Sequence, residues 1–117
     1  GVLDMCDFKG FVRPAYPYMK VADIFLNTSE AEGYPLVLCE ALCLGLPVVA
    51  TDITGAHEIL DNSEFGLLVQ EDVQDIYQGL KKMIDNDLMR AEYAQKALLR
   101  SEMFSVEKVL EEIDAVL

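Results

Sequence analysis

Apolar residues fall along this chain in short closed runs and in longer periodic ones. Residues 24–26, 47–50 and 66–69 are apolar at nearly every position, the pattern of strands buried on both faces of a parallel sheet. Residues 8–12 read as a further short strand. Between and after these runs the spacing turns helical, predicting helices over 16–21, 35–44, 56–60, 71–84, 87–99 and 105–117. In the 71–84 segment Val73, Ile76, Tyr77, Leu80 and Ile84 mark the predicted packed face. Gly45 reads as a helix C-cap and Ser105 as an N-cap, with Glu107 in the following turn. Strands alternating with helices predict an α/β domain: a Rossmann-like parallel sheet with helices on both faces. In such sheets ligands bind beyond the carboxyl ends of the strands. There the 24–26 strand delivers residues 27–34, and the 47–50 strand delivers Thr51 and Asp52.

The helix at 35–44 organises the rest. Pro35 suits a first helical position, where its missing N–H is not needed, and Gly33 lets the backbone turn into it. From Leu36 to Leu44 every residue but Glu40 is apolar, which predicts a helix buried on all sides and Glu40 as a buried carboxylate. No Lys or Arg occurs between Val21 and Leu80 to pair with it. A helical side chain leans towards the helix N-terminus, and Glu40 lies five residues in, about 7 Å along the axis. The free N–H groups at the helix start favour a phosphate, and the carboxylate further up suits a neutral diol. A nucleotide's pyrophosphate and ribose have that layout.

The chain has 117 residues, enough for one domain with a real core. A net charge of −12 argues against nucleic acid or an anionic membrane as partner. No apolar run approaches the ~20 residues that span a bilayer, so a soluble cytoplasmic protein is expected. A peripheral position at the inner face of the membrane stays open for an intact enzyme. The abrupt start without Met reads as a cut piece of something longer. Cys6, Cys39 and Cys43 are expected as free thiols, the latter two in core packing despite lying one helical turn apart. No metal or cofactor is expected. His57, the single histidine, reads as structural and Thr51-Asp52 as a loop cap. Tyr16, Tyr18, Tyr77 and Tyr93 read as packing residues.

Glu32 and Glu40, eight positions apart with Gly33 between them, are followed by Glu40-Ala41-Leu42-x-x-Gly45-x-Pro47-Val48-Val49-Ala50-Thr51. Gly10-Phe11-Val12, Ala22-Asp23-Ile24-Phe25-Leu26, Gly55-x-x-Glu58-Ile59 and Gly66-Leu67-Leu68-Val69 complete one ordered series. From about Lys9 to the end this series resembles the C-terminal, nucleotide-sugar-binding domain of family 4 retaining glycosyltransferases of the GT-B fold.

The resemblance implies a partial C-terminal donor-binding domain over residues 1–117, one half of a GT-B fold, with the N-terminal acceptor domain absent. It implies a hexosyltransferase-type enzyme that moves a sugar from a nucleotide-diphosphate donor to a glycan or lipid-linked acceptor with retention, in surface-glycan biosynthesis. Glu32 takes the catalytic place beside the donor sugar. Glu40 accepts from both ribose hydroxyls. Gly33, Tyr34 and Leu36 offer backbone N–H groups to sugar and phosphates, while Pro35 in the same turn cannot donate. Phe11, Val12 and Arg13 match the segment that meets the nucleobase. The Arg and Lys that neutralise the diphosphate in this family lie upstream of the Gly-Phe-Val segment, before Gly1. The 117 residues alone are therefore expected to be inactive and to bind donor weakly. The alternative reading is a non-catalytic nucleotide-sugar-binding or assembly module of the same fold.

Overall fold

Three short strands, β1 (Phe25–Asn27), β2 (Val48–Thr51) and β3 (Leu67–Val69), pair in the order β1-β2-β3, all parallel. In this computed structural model, residues 2–6, 16–28 and 36–104 are described. Phe25 stands opposite Val48 and Asn27 opposite Ala50, while Thr51 stands opposite Val69. A parallel pair needs a crossover, and α2 (Leu36–Cys43) and α3 (Thr54–Leu60) supply one each. The chain opens with a 3-10 turn, Val2–Met5, and α1 (Tyr16–Met19), and continues after β3 with α4 (Val73–Asp85) and α5 (Asp87–Met103). The predicted α/β architecture is what is seen, with element ends moved by at most four residues. The strand at 8–12 and the helix at 105–117 lie outside the described residues.

All four residues of β2 are buried. Val48 and Ala50 pack with Leu38, Ala41 and Leu42 of α2 and Ala56, Ile59 and Leu60 of α3. Val49 turns the other way, to Val69, Ile76 of α4 and Met83 of α4. The continuous apolar run of the sequence thus reflects helices on both faces of the sheet.

The face of α4 that packs differs from the predicted one. Ile76, Gly79 and Met83 meet the sheet, whereas Val73, Tyr77 and Ile84 are exposed. Gly79 is the reason. A Cβ there would stand 2.5 Å from Val69 Cγ1, so only glycine lets the helix lie this close to β3. The sheet selected the side with the smallest residue over the richer apolar stripe. Tyr77 is therefore not a packing residue, and Tyr18 is likewise exposed. Tyr16 has its side chain outside the described set.

Helix ends follow their caps. Gly45 takes a left-handed φ of 71° after α2, as its C-cap role requires. Asp72 accepts from Asp75 N–H at the start of α4, and Asn86, the single residue between α4 and α5, accepts from Met89 N–H. Arg90 donates to the carbonyls of Met83 and Ile84, closing α4's C-terminus. From there α5 runs to the α2–α3 side, where Leu98 covers Gly45 and Arg100 donates to Ile59 O at 2.8 Å and Glu58 O at 3.2 Å. The Arg100 guanidinium lies over the rings of Phe65 and Phe104, 5.1 and 4.7 Å from their centroids.

Tyr93 is the tyrosine that does pack, its hydroxyl donating to Ser63 O at 2.9 Å. Burial pushes its phenol above the ordinary 10.0, opposed by nearby Lys96 and assisted by Glu92 and Glu64. A raised phenol means that the fold favours the neutral ring. Its contribution is whole below pH 10 and is lost as pH rises through the raised value.

Two substitutions test this packing. Gly79→Ala should gain about 1 kcal/mol in helix propensity and lose about 1–3 kcal/mol to the clash with β-branched Val69, a net loss in urea unfolding. Tyr93→Phe should cost about 0.5–1.5 kcal/mol at pH 7, and its gap to wild type should close as pH rises past 10.

Candidate functional site

Because β1, β2 and β3 are parallel, Asn27, Thr51 and Val69 end on one edge, and the loops leaving them gather there. The chain leaving β1 carries residues 28–35 to α2. Of the residues the sequence singles out, Glu32, Gly33, Tyr34, Pro35, Phe11, Val12 and Arg13 lie outside the described set. Leu36 opens α2, and Glu40 follows one turn later.

Glu40 is exposed, and the expectation of a buried carboxylate is corrected. The helix is not enclosed on all sides. Leu38, Cys39, Ala41 and Leu42 are buried, Val37 and Leu44 are half-buried, and Glu40 and Cys43 share the open face. Apolar composition overstates the burial because Cys43 stands on that face and not in the core with Cys39. Among the described residues no side chain pairs with Glu40. A solvated carboxylate carries no desolvation penalty and needs no partner.

The edge holds a second group that sequence reasoning missed. Asp52 follows β2, its N–H donating to Val69 O at 2.7 Å. Ile53 is the N-cap of α3 and makes no side-chain capping bond. The Asp52 carboxylate is instead engaged by His57: Nδ1 and Oδ1 stand 2.8 Å apart. So Asp52 is not the loop cap expected from sequence, and His57 is held by an acid. The signal was present as an acid and the only histidine five residues apart across a helix start.

Charge is distributed unevenly about this edge. The described cations, Lys20, Lys81, Lys82, Arg90, Lys96 and Arg100, belong to the end of α1 and to α4 and α5. Arg90 and Arg100 already serve backbone carbonyls, and Lys81 pairs with Asp85 at 2.7 Å, which raises its ammonium pKa. Two open grooves lie at the opposite edge. One, of about 630 Å3, runs between the end of α4 and the start of α5. The other, of about 420 Å3, is lined by Lys20, Asp23, Pro47 and Arg90. Neither touches the strand ends where the fold places ligands. Among the described residues no three of His, Cys, Asp and Glu gather to hold a metal. No described helix is long and apolar enough to cross a membrane.

Residues 1–86 match the family model described as glycosyl transferases group 1. The chain belongs to this family. A relative from Campylobacter jejuni, by its name an N-acetylgalactosaminyltransferase acting on a diphospho-undecaprenol-linked sugar, is 39% identical over 86% of this chain and 28% of its own length. The capsular polysaccharide biosynthesis glycosyltransferase CapM of Staphylococcus aureus is 29% identical over 80% of this chain and 25% of its own. Among solved structures, Anabaena HepE in complex with UDP matches with a TM-score of 0.83 and 27% identity, covering 99% of this chain and 33% of HepE. This group 1 chain thus spans about a quarter to a third of these relatives. The matched 1–86 segment includes the Glu32–Glu40 loop and helix and the Asp52–His57 pair.

If the Asp52–His57 contact served stability alone, its loss would still be small, because both groups are partly exposed. Asp52→Ala should lower unfolding free energy by less than about 1 kcal/mol in urea titration, leaving the fold intact.

Proposed function

We propose that this chain is the donor-binding part of a GT-B-fold, family 4 retaining glycosyltransferase that builds a surface glycan. The observation that carries the reading is the likeness to UDP-bound HepE across nearly the whole chain, together with family membership. The names of the Campylobacter and Staphylococcus relatives support a glycan under assembly, the former on a lipid diphosphate.

In this reading the exposed Glu40 carboxylate accepts two hydrogen bonds from the ribose diol, a two-oxygen match to vicinal hydroxyls. The start of α2, with the Leu36 N–H and the amides before it, meets the phosphates, its dipole contributing about 0.3–2 kcal/mol. Glu32 orients the donor sugar, Gly33 and Tyr34 add amides, and Phe11, Val12 and Arg13 border the base. The dipole is too weak to neutralise a leaving nucleoside diphosphate. In this reading, neutralising it is left to cationic side chains of the intact enzyme. The enzyme's sugar-binding chemistry then needs no metal.

Titrating a panel of nucleoside diphosphates into the full-length protein tests this directly. One nucleotide should bind, and Glu40→Ala should weaken it by roughly 10–100-fold, as two charge-assisted bonds are lost. Glu32→Ala should leave that affinity within about threefold while removing turnover. A protein that binds no nucleoside diphosphate and shows no turnover is an assembly module and not a transferase, whereas full turnover without Glu32 would overturn the catalytic place given to that residue.

A further inference from the structure

Val73, Tyr77 and Ile84 stay exposed on α4, with Leu80 half-buried between them. At about 100° per residue these side chains share one stripe, roughly a quarter turn from Ile76, Gly79 and Met83, which face the sheet. The stripe therefore points along the sheet and not away from it. Gly79 fixes the direction, because a Cβ there would meet Val69 and Leu67 of β3 more closely than Val49 of β2. Turning from Gly79 through Met83 and Ile76 to the stripe leads from β3 across β2 towards β1. The right-handed sense of the crossovers through α2 and α3 gives the same direction.

Beneath that overhang the floor is bare. Leu26 of β1 stands opposite Val49 and projects from the same face, yet it is 39% exposed where Val49 is 0%. Ile24, two residues back, is half-buried on that face. β1 is also the end strand of the described sheet. Phe25 N–H donates to Pro47 O at 2.9 Å, so the next amide, Leu26 N–H, points to the open edge. The stripe and β1 are thus two sides of an apolar trough.

The trough has the size of a helix. Packed helices lie about 8–10 Å apart and strands about 4.8 Å. A helix beside α4, which sits over β2 and β3, would therefore rest between β1 and one further strand position. A single helix leaves half its floor missing, and a strand on the free edge of β1 supplies that half. Gln74, Gln78 and the Lys81–Asp85 pair rim the stripe, so the occupant is apolar inward and polar outward. The nine residues 7–15 are too few for a strand with its helix. Phe104 packs with the α2–α3 cluster, so residues 105–117 leave from the opposite face.

Resting on the reading of this chain as one part of a longer transferase, we propose that the trough is an intramolecular docking surface. An amphipathic helix of the intact enzyme, from outside these 117 residues, lies against Val73, Tyr77, Leu80 and Ile84, and its adjoining strand pairs with β1 through Leu26 N–H. The relatives named above, three to four times the matched length, have the chain to supply it.

The test uses the full-length protein carrying Leu26→Cys, Tyr77→Cys or Ile84→Cys, with Lys82→Cys on the outward side of α4 as the exposed control. A maleimide, read by peptide mass spectrometry to set aside the native cysteines, should label the three trough positions at least about tenfold more slowly than position 82. A photo-cross-linker on Tyr77→Cys should capture, at monomer mass, a peptide from outside residues 1–117. Labelling at 77 and 84 as fast as at 82 overturns the proposal, and so does capture of a second copy at dimer mass. Nucleotide binding with fast labelling overturns the docking surface alone. Slow labelling and capture without nucleotide binding or turnover overturn the transferase reading alone.

Discussion

The structure depends on one strand being enclosed from both sides. β2 presents Val48 and Ala50 to α2 and α3 and Val49 to α4, and none of its side chains reaches water. At about 25 cal/mol per Å2 of apolar surface removed from water, this is where a small sheet gains most of its stability. The enclosure also sets the direction of the chain. With β1 and β3 paired in parallel on either side, every loop that leaves a carboxyl end is sent to the same edge, and α2, α3 and α4 return towards the other. The site is a consequence of that direction.

Two carboxylates at that edge behave differently, and the difference is informative. Glu40 stands in solvent on the open face of α2 with no described side chain against it, while Asp52 is committed to an imidazole. Neither is under the strain of burial, so neither stores energy. A carboxylate kept in water loses little until a ligand replaces that water, and a ligand with two adjacent hydroxyls can replace it bond for bond. An exposed acid is compatible with the donor role proposed for Glu40, although burial without a cation is not what makes it so.

The fold was legible because runs such as Pro47-Val48-Val49-Ala50 have one cheap solution, a strand with helices on both faces. Gly45 announced its left-handed turn. The helix faces were less legible. α4 carries an apolar stripe through Val73, Tyr77 and Ile84 that remains exposed, and it packs through Gly79, whose importance lies in the distance to Val69 and not in its hydropathy. In α2, apolar Cys43 shares the open face with Glu40, so an all-apolar reading overstated burial. Glu32 lies outside the described residues, and in the sequence it stands out only as a member of a motif series. Asp52 and His57 escaped because the geometry joining them, an acid one place before a cap, has no periodic signature.

The most direct measurement is a crystal structure of the full-length protein with the nucleoside diphosphate it binds. Both Glu40 oxygens should lie about 2.5–3.0 Å from the two ribose hydroxyls, with the phosphates at the start of α2. A ribose held elsewhere, with the Glu40 carboxylate still in solvent, would contradict the account.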